Sequence, residues 1–135
     1  MAIERDYIMR ILQQFFNVLE KLINNFEPEK VEDIKVQLSG MYFDYLGKDI
    51  SFFQNSEMDT IMKALNGGTD KEVFARVSML SELLYYSAIL SESDAVKMDL
   101  LSKVLSLLRY IDEFSGSFSF ERQRRIDELE DLLGC

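Results

Sequence analysis

Between positions 69 and 90 the chain carries two apolar lines along one helix. Val73, Val77, Leu80 and Leu84 form the first, and Met79, Leu83, Tyr86 and Leu90 the second. Recurrence at three and four residues marks a helix. A helix with two apolar stripes must be covered from two sides, so this segment is the expected centre of an all-α domain. The stretch SELLYYSAIL at 81–90 is its densest part, with Tyr86 expected in the core and Tyr85, on another side, nearer the surface. Its start is written in Thr69-Asp70-Lys71-Glu72, a capping box in which the threonine oxygen takes one orphan N–H and the glutamate reaches back to another.

The other segments supply the cover. Ile8, Leu12, Phe15, Leu19, Leu22 and Phe26 recur at intervals of four and three, which predicts a first helix over about 3–26 with a polar face of Gln13, Gln14, Asn17, Lys21 and Asn24. Pro28 suits the first turn of a second helix, with Glu29, Glu32 and Asp33 at its positive end, Val31, Ile34, Leu38, Met41 and Tyr45 on its inner face, and Gly47 as its stop. Gly40 inside that helix costs about 1 kcal/mol relative to alanine. Residues 48–55 are expected to be a connector with Ile50, Phe52 and Phe53 turned inward, and Ser56 to cap a short helix carrying Met58, Ile61, Met62 and Leu65. Asn66-Gly67-Gly68 then turns the chain; without a following Lys-Ser/Thr it is no phosphate cradle.

After the central helix, Ser91 to Asp94 turn the chain into a helix bearing Leu101, Val104, Leu108 and Ile111, stopped at Gly116. A last helix from about Phe120 is charge-rich, with a thin stripe of Ile126, Leu129, Leu132 and Leu133 and possible side-chain pairs Glu121–Arg125 and Arg124–Glu128 on an exposed face. The sum is an antiparallel helical bundle or array of about six helices in a single domain over 1–135. N-terminal helices occupy 1–68, and a helix pair with a charged capping helix occupies 69–135. A chain of 135 residues can bury enough surface to fold without a metal or disulfide.

Residues 70–114, especially LSELLYYSAIL followed by KMDLLSKVLSLLRYID, resemble a tetratricopeptide-type helix pair. The whole chain resembles a family of small, uncharacterised bacterial helical proteins. The likeness rests on Asp6-Tyr7-Ile8-Met9-Arg10, on the connector YLGKDISFF, and on the pair followed by a charged helix. The whole-chain family brings no catalytic residue with it, and the tetratricopeptide likeness implies a protein-binding or scaffolding role. It covers one pair, with helices longer than the repeat's, no glycine between them and no closing proline. The concave groove of three or more stacked repeats is therefore not implied.

The composition excludes several functions. No histidine is present, which removes the usual triad base, zinc ligand and general acid/base together. The one cysteine is Cys135, so no intrachain disulfide can form. Carboxylate neighbours such as Asp44 with Asp49, or Asp112 with Glu113, fall near predicted helix ends, where solvated acids are ordinary. No catalytic residue, cofactor site or metal site is expected, and the protein is read as no enzyme.

The net charge of −9 is spread over both halves, with 7 basic and 11 acidic residues in 1–68 and 8 and 13 in 69–135. Nucleic acid is therefore not an expected partner, since phosphate binding runs on Lys and Arg. No apolar run approaches the roughly 18 residues of a membrane span, and MAIERDYIMR has acids where a signal peptide needs bases. A cytoplasmic location without membrane attachment is expected. What remains is an interaction module for an unknown protein partner. The candidate contact residues are Tyr85 and the only basic cluster, Arg122, Arg124 and Arg125, which suits an acidic protein segment or a phosphate, or else stays paired with Glu121, Asp127 and Glu128 of its own helix. A homodimer through helix 1 is the alternative; a small-ligand pocket near Tyr42, Tyr45, Phe52 and Phe53 ranks behind it.

Overall fold

A computed structural model describes residues 2–135, with side chains from Tyr7 onward, so Asp6 of the DYIMR motif is placed only as part of a helix and Met1 lies outside the described residues. The described chain is all helix and loop: α1 (Ala2–Asn24), α2 (Val31–Leu46), α3 (Ile50–Asn55), α4 (Met58–Leu65), α5 (Asp70–Ile89), α6 (Asp94–Phe114) and α7 (Phe120–Leu133). Helix α5 is central, as its two stripes demand. It packs against α6 on one side and against α1, α2 and α4 on the other, and α7 closes over α6. Val77, Leu80, Leu83, Leu84 and Ala88 of α5 and Val104 and Leu107 of α6 are wholly withdrawn from solvent.

Local chemistry sets the helix ends. The Glu72 N–H donates to Thr69 Oγ1 at 3.2 Å, while Thr69 Oγ1 lies 3.4 Å from Glu72 Oε1 as a donor. The carboxylate thus meets the cap's hydroxyl rather than its backbone N–H, and its other oxygen lies 3.8 Å from Arg76. Ser93 and Ser119 cap α6 and α7 in the same manner. Pro28 opens a single 3₁₀ turn (Pro28–Lys30) ahead of α2, and α2 stops at Gly47 as expected. Gly67 and Gly68 adopt φ of 119° and 76°, a conformation that L side chains rarely take, so this turn requires both.

Two expectations change. Residues 50–55 are helical, and Ser56 ends that helix instead of capping the next; the residue before α4 is Glu57, whose side chain makes no capping bond. A six-residue helix cannot hold itself in water, and tertiary contact supplies the difference. The buried Lys103 of α6 directs Nζ to the carbonyls of Phe53 (3.1 Å) and Gln54 (2.7 Å) at the open end of α3, with Asp99 Oδ2 at 3.1 Å. Arg76 of α5 does the same for α4, donating Nε to Leu65 O at 2.8 Å and a terminal nitrogen to Gly67 O. Cations of the long helices thus terminate both short ones, where orphan carbonyls and the negative helix end favour them.

Candidate functional site

Helix α7 docks through Ile126 and Leu129, both buried, while Leu132 of the expected stripe is exposed. Around that thin contact the basic cluster is largely used up in holding α7 down. Arg125 Nη1 donates to Glu82 Oε1 of α5 at 2.8 Å, and its guanidinium lies 3.9 Å above the centre of the Tyr85 ring. Tyr85 meets Tyr86 edge-on, with centroids 5.2 Å apart. Arg122 Nε donates to Asp112 Oδ1 at 3.0 Å and Nη2 to the Ser117 carbonyl at 2.6 Å. Both arginines therefore pair between helices, not with acids of α7. Of the three arginines, only Arg124 is exposed and without an ion-pair partner among the described residues.

Three of the four candidate residues thus converge on one seam. Tyr85, Arg122 and Arg125 are half-buried there, and Arg124 points away from it on the outer face. The seam adjoins a cleft of about 290 Å³ containing Phe16, Ser78, Glu82 and Leu108. Tyr86 is half-buried rather than enclosed. Burial, with the Glu82 carboxylate second, pushes its phenol above the ordinary tyrosine value, and Arg125 opposes the shift.

The paired Arg122 fixes the α6–α7 loop. Ser115 Oγ donates to the Ser117 carbonyl at 2.9 Å and accepts from the Ser117 N–H at 3.2 Å. This bonded loop holds aromatic rings in water. Phe114 is 59% exposed, Phe118 65% and Phe120 80%. Phe118 and Phe120 stand edge-to-face, centroids 4.8 Å apart at 90°. Phe114 contacts Tyr110 at 4.6 Å, and Tyr110 in turn lies 6.1 Å from Phe74. Phe74 also lines an apolar groove with Ile8, Met9, Leu12 and Ala75, between α1 and α5. Sequence reasoning missed Phe118 and Phe120. Their alternation with serine in SGSFSF was the available signal.

Other candidate chemistry is dispersed. Asp44, Asp49, Asp112 and Glu113 are all exposed, Asp112 pairing with Arg122 and Asp49 accepting from Ser51 at 2.8 Å. Tyr42 and Phe53 are fully buried, with ring centroids 5.8 Å apart, and fill the space a pocket beside them would need. The Tyr42 hydroxyl bonds to Ser87 Oγ at 2.7 Å, and burial raises its pKa well above the usual phenol value. Among the described residues no group of three Asp, Glu or Cys side chains is placed to hold a metal, and no helix is long and apolar enough to cross a membrane. No family model, curated protein or solved structure matches the chain.

Proposed function

We propose that the protein is a non-catalytic protein–protein interaction module whose contact surface centres on Phe118, Phe120 and Arg124. The carrying observation is the exposure of the Phe118–Phe120 ring pair, where a loop whose backbone is tied by Arg122 and Ser115 meets the first residue of α7. Exposed aromatic rings are unfavourable in water and become anchors when a partner's pocket encloses them. A tied loop loses little conformational freedom on binding, so less of the contact energy is offset. Arg124 follows Phe120 by one helical turn and adds an unpaired cation beside the rings. The partner that fits is a protein with an apolar pocket rimmed by a carboxylate. Nucleic acid fits poorly, given a net charge of −9. By analogy, the tetratricopeptide-type pattern of α5 and α6 also suits a scaffold. Tyr85, Arg122 and Arg125 position the surface by holding α7 and its loop.

The test is capture from native lysate by the full chain, with the double variant Phe118→Ser, Phe120→Ser and the single variant Arg124→Glu alongside. The expected result is a defined partner retained by the unaltered chain, lost with the double variant and weakened about tenfold or more with Arg124→Glu, all three keeping the same circular dichroism. Equal capture by all three, or none above a control, contradicts the reading.

A further inference from the structure

We propose that α7 is a lid that opens as one unit while α1 to α6 stay folded, and that ion pairs to α5 and α6 are its latch. Among the described residues three ion pairs join one helix to another: Arg125–Glu82 at 2.8 Å, Arg122–Asp112 at 3.0 Å and Arg109–Glu130 at 3.3 Å. Helix α7 supplies one member of each. The other pairs stand three or four residues apart in sequence. Apolar packing adds little to this seat. Two of the fourteen residues of α7 are buried, against eight of twenty-one in α6, and Glu121, Arg124, Asp127 and Glu128 face water.

The charge order of α7 works against the helix itself. Arg122, Arg124 and Arg125 stand toward its N-terminus, while Glu130 and Asp131 stand near its C-terminus with no base in the last turn. Each group faces the like-signed end of the helix dipole. A helix this short is marginal in water even with a favourable sequence, so α7 melts when it leaves its seat. In place, Asp112 and Glu82 meet Arg122 and Arg125 and offset the adverse charge at that end. The hinge lies in the α6–α7 loop, where Gly116 has φ of 69° and carries no Cβ to hinder a change of backbone conformation. Arg109 and Asp112 recur at three and four residues with the buried Leu105 and Leu108. Opening therefore bares that strip of α6 together with Ile126 and Leu129. It also takes Arg122 from the Ser117 carbonyl, so the outward hold on Phe118 and Phe120 depends on the latch. That last consequence rests on the proposed contact surface; the opening itself does not, and it can be read without a partner.

Native-state hydrogen exchange of the full chain over a series of low urea concentrations tests this. Opening α7 alone exposes little surface, so its amides are expected to share one opening free energy whose urea slope is about a third or less of that for amides in 77–84. The variant Glu82→Gln, Asp112→Asn keeps the shape of both latch residues and removes their charge. It is expected to speed exchange across α7 about tenfold at low ionic strength. Glu20→Gln, Glu92→Gln removes two exposed acids away from the latch and should leave α7 within about twofold of the unaltered chain, since acids outside such pairs contribute little. Four results overturn the proposal: a urea slope in α7 as steep as in α5, exchange graded along α7 with no shared value, a latch variant within about twofold of the unaltered chain, or a control variant as fast as the latch variant.

Discussion

The α5–α6 pair and the α1–α2 pair are both long helices joined by short links, yet they finish their burial differently. Nine of the twenty residues of α5 are buried, including residues on opposite sides, whereas α2 buries four of sixteen. Helix α5 has neighbours on two sides. Helix α2 has its core on one side and leaves Val36 and Phe43 in water on the other. Apolar area withdrawn from water stabilises at roughly 25 cal/mol per Å², so the stability of this fold is concentrated in α5 and α6. The outer helices are held by narrower contacts and have surface to spare for binding.

The largest effect that could break this comparison is a core truncation. Leu84→Ala or Leu107→Ala is expected to cost about 2–5 kcal/mol, because each leaves a cavity among fully enclosed neighbours. Leu22→Ala, at the half-buried floor of the α1–α2 groove, is expected to cost about 1 kcal/mol. Urea unfolding measures all three, and equal losses would erase the distinction between the two pairs.

Next in size is Lys103→Ala. It removes a buried donor from the Phe53 and Gln54 carbonyls and is expected to cost about 1–3 kcal/mol. Hydrogen exchange in α3 should rise before that in α5. Unchanged exchange across 50–55 would show that α3 stands without its lysine.

Alkaline pH sharpens the contrast further. Burial raises the phenol pKa of Tyr42, of Tyr45 (with Asp44 adding to it) and of Tyr86 (with Glu82 adding to it), each from an ordinary value of 10.0. The folded chain therefore holds these protons more tightly than the unfolded one. The resulting stability is fully present below about pH 10 and is lost as pH rises through the raised folded values. Tyr42→Phe should flatten much of that decline, at a cost near neutral pH of about 0.5–1.5 kcal/mol for the lost bond to Ser87. An unchanged alkaline slope in Tyr42→Phe would place its origin elsewhere.

The smallest expected effect is on the outer face of α2. Val36→Ser and Phe43→Ser should each stay within about 0.5 kcal/mol in the dilute protein, measured by the same urea titration. A larger loss would mean that this face is covered within the monomer.

The helices that were legible in the sequence are those whose burial is written as a period. The double stripe of α5, the Thr69 cap and the Gly47 stop all depend on residues close in sequence. The short α3 was not legible, because Ile50, Phe52 and Phe53 are too few to show a period and the lysine that ends the helix lies fifty residues from Phe53. The basic cluster was visible as Arg122, Arg124 and Arg125, but its division into two paired members and one free one depends on Asp112 and Glu82 arriving from α6 and α5. Phe118 and Phe120 were hidden for a related reason. Phenylalanine near a helix start reads as core, and only the loop's own hydrogen bonds show that it is held outward.

Hydrogen exchange of the intact protein, resolved by segment under dilute conditions, tests the central contrast most directly. The account predicts that amides in 77–84 and 104–108 open only with the whole fold, while those in α2 open locally at lower free energy. Amides of α2 as slow as those of α5 would contradict it.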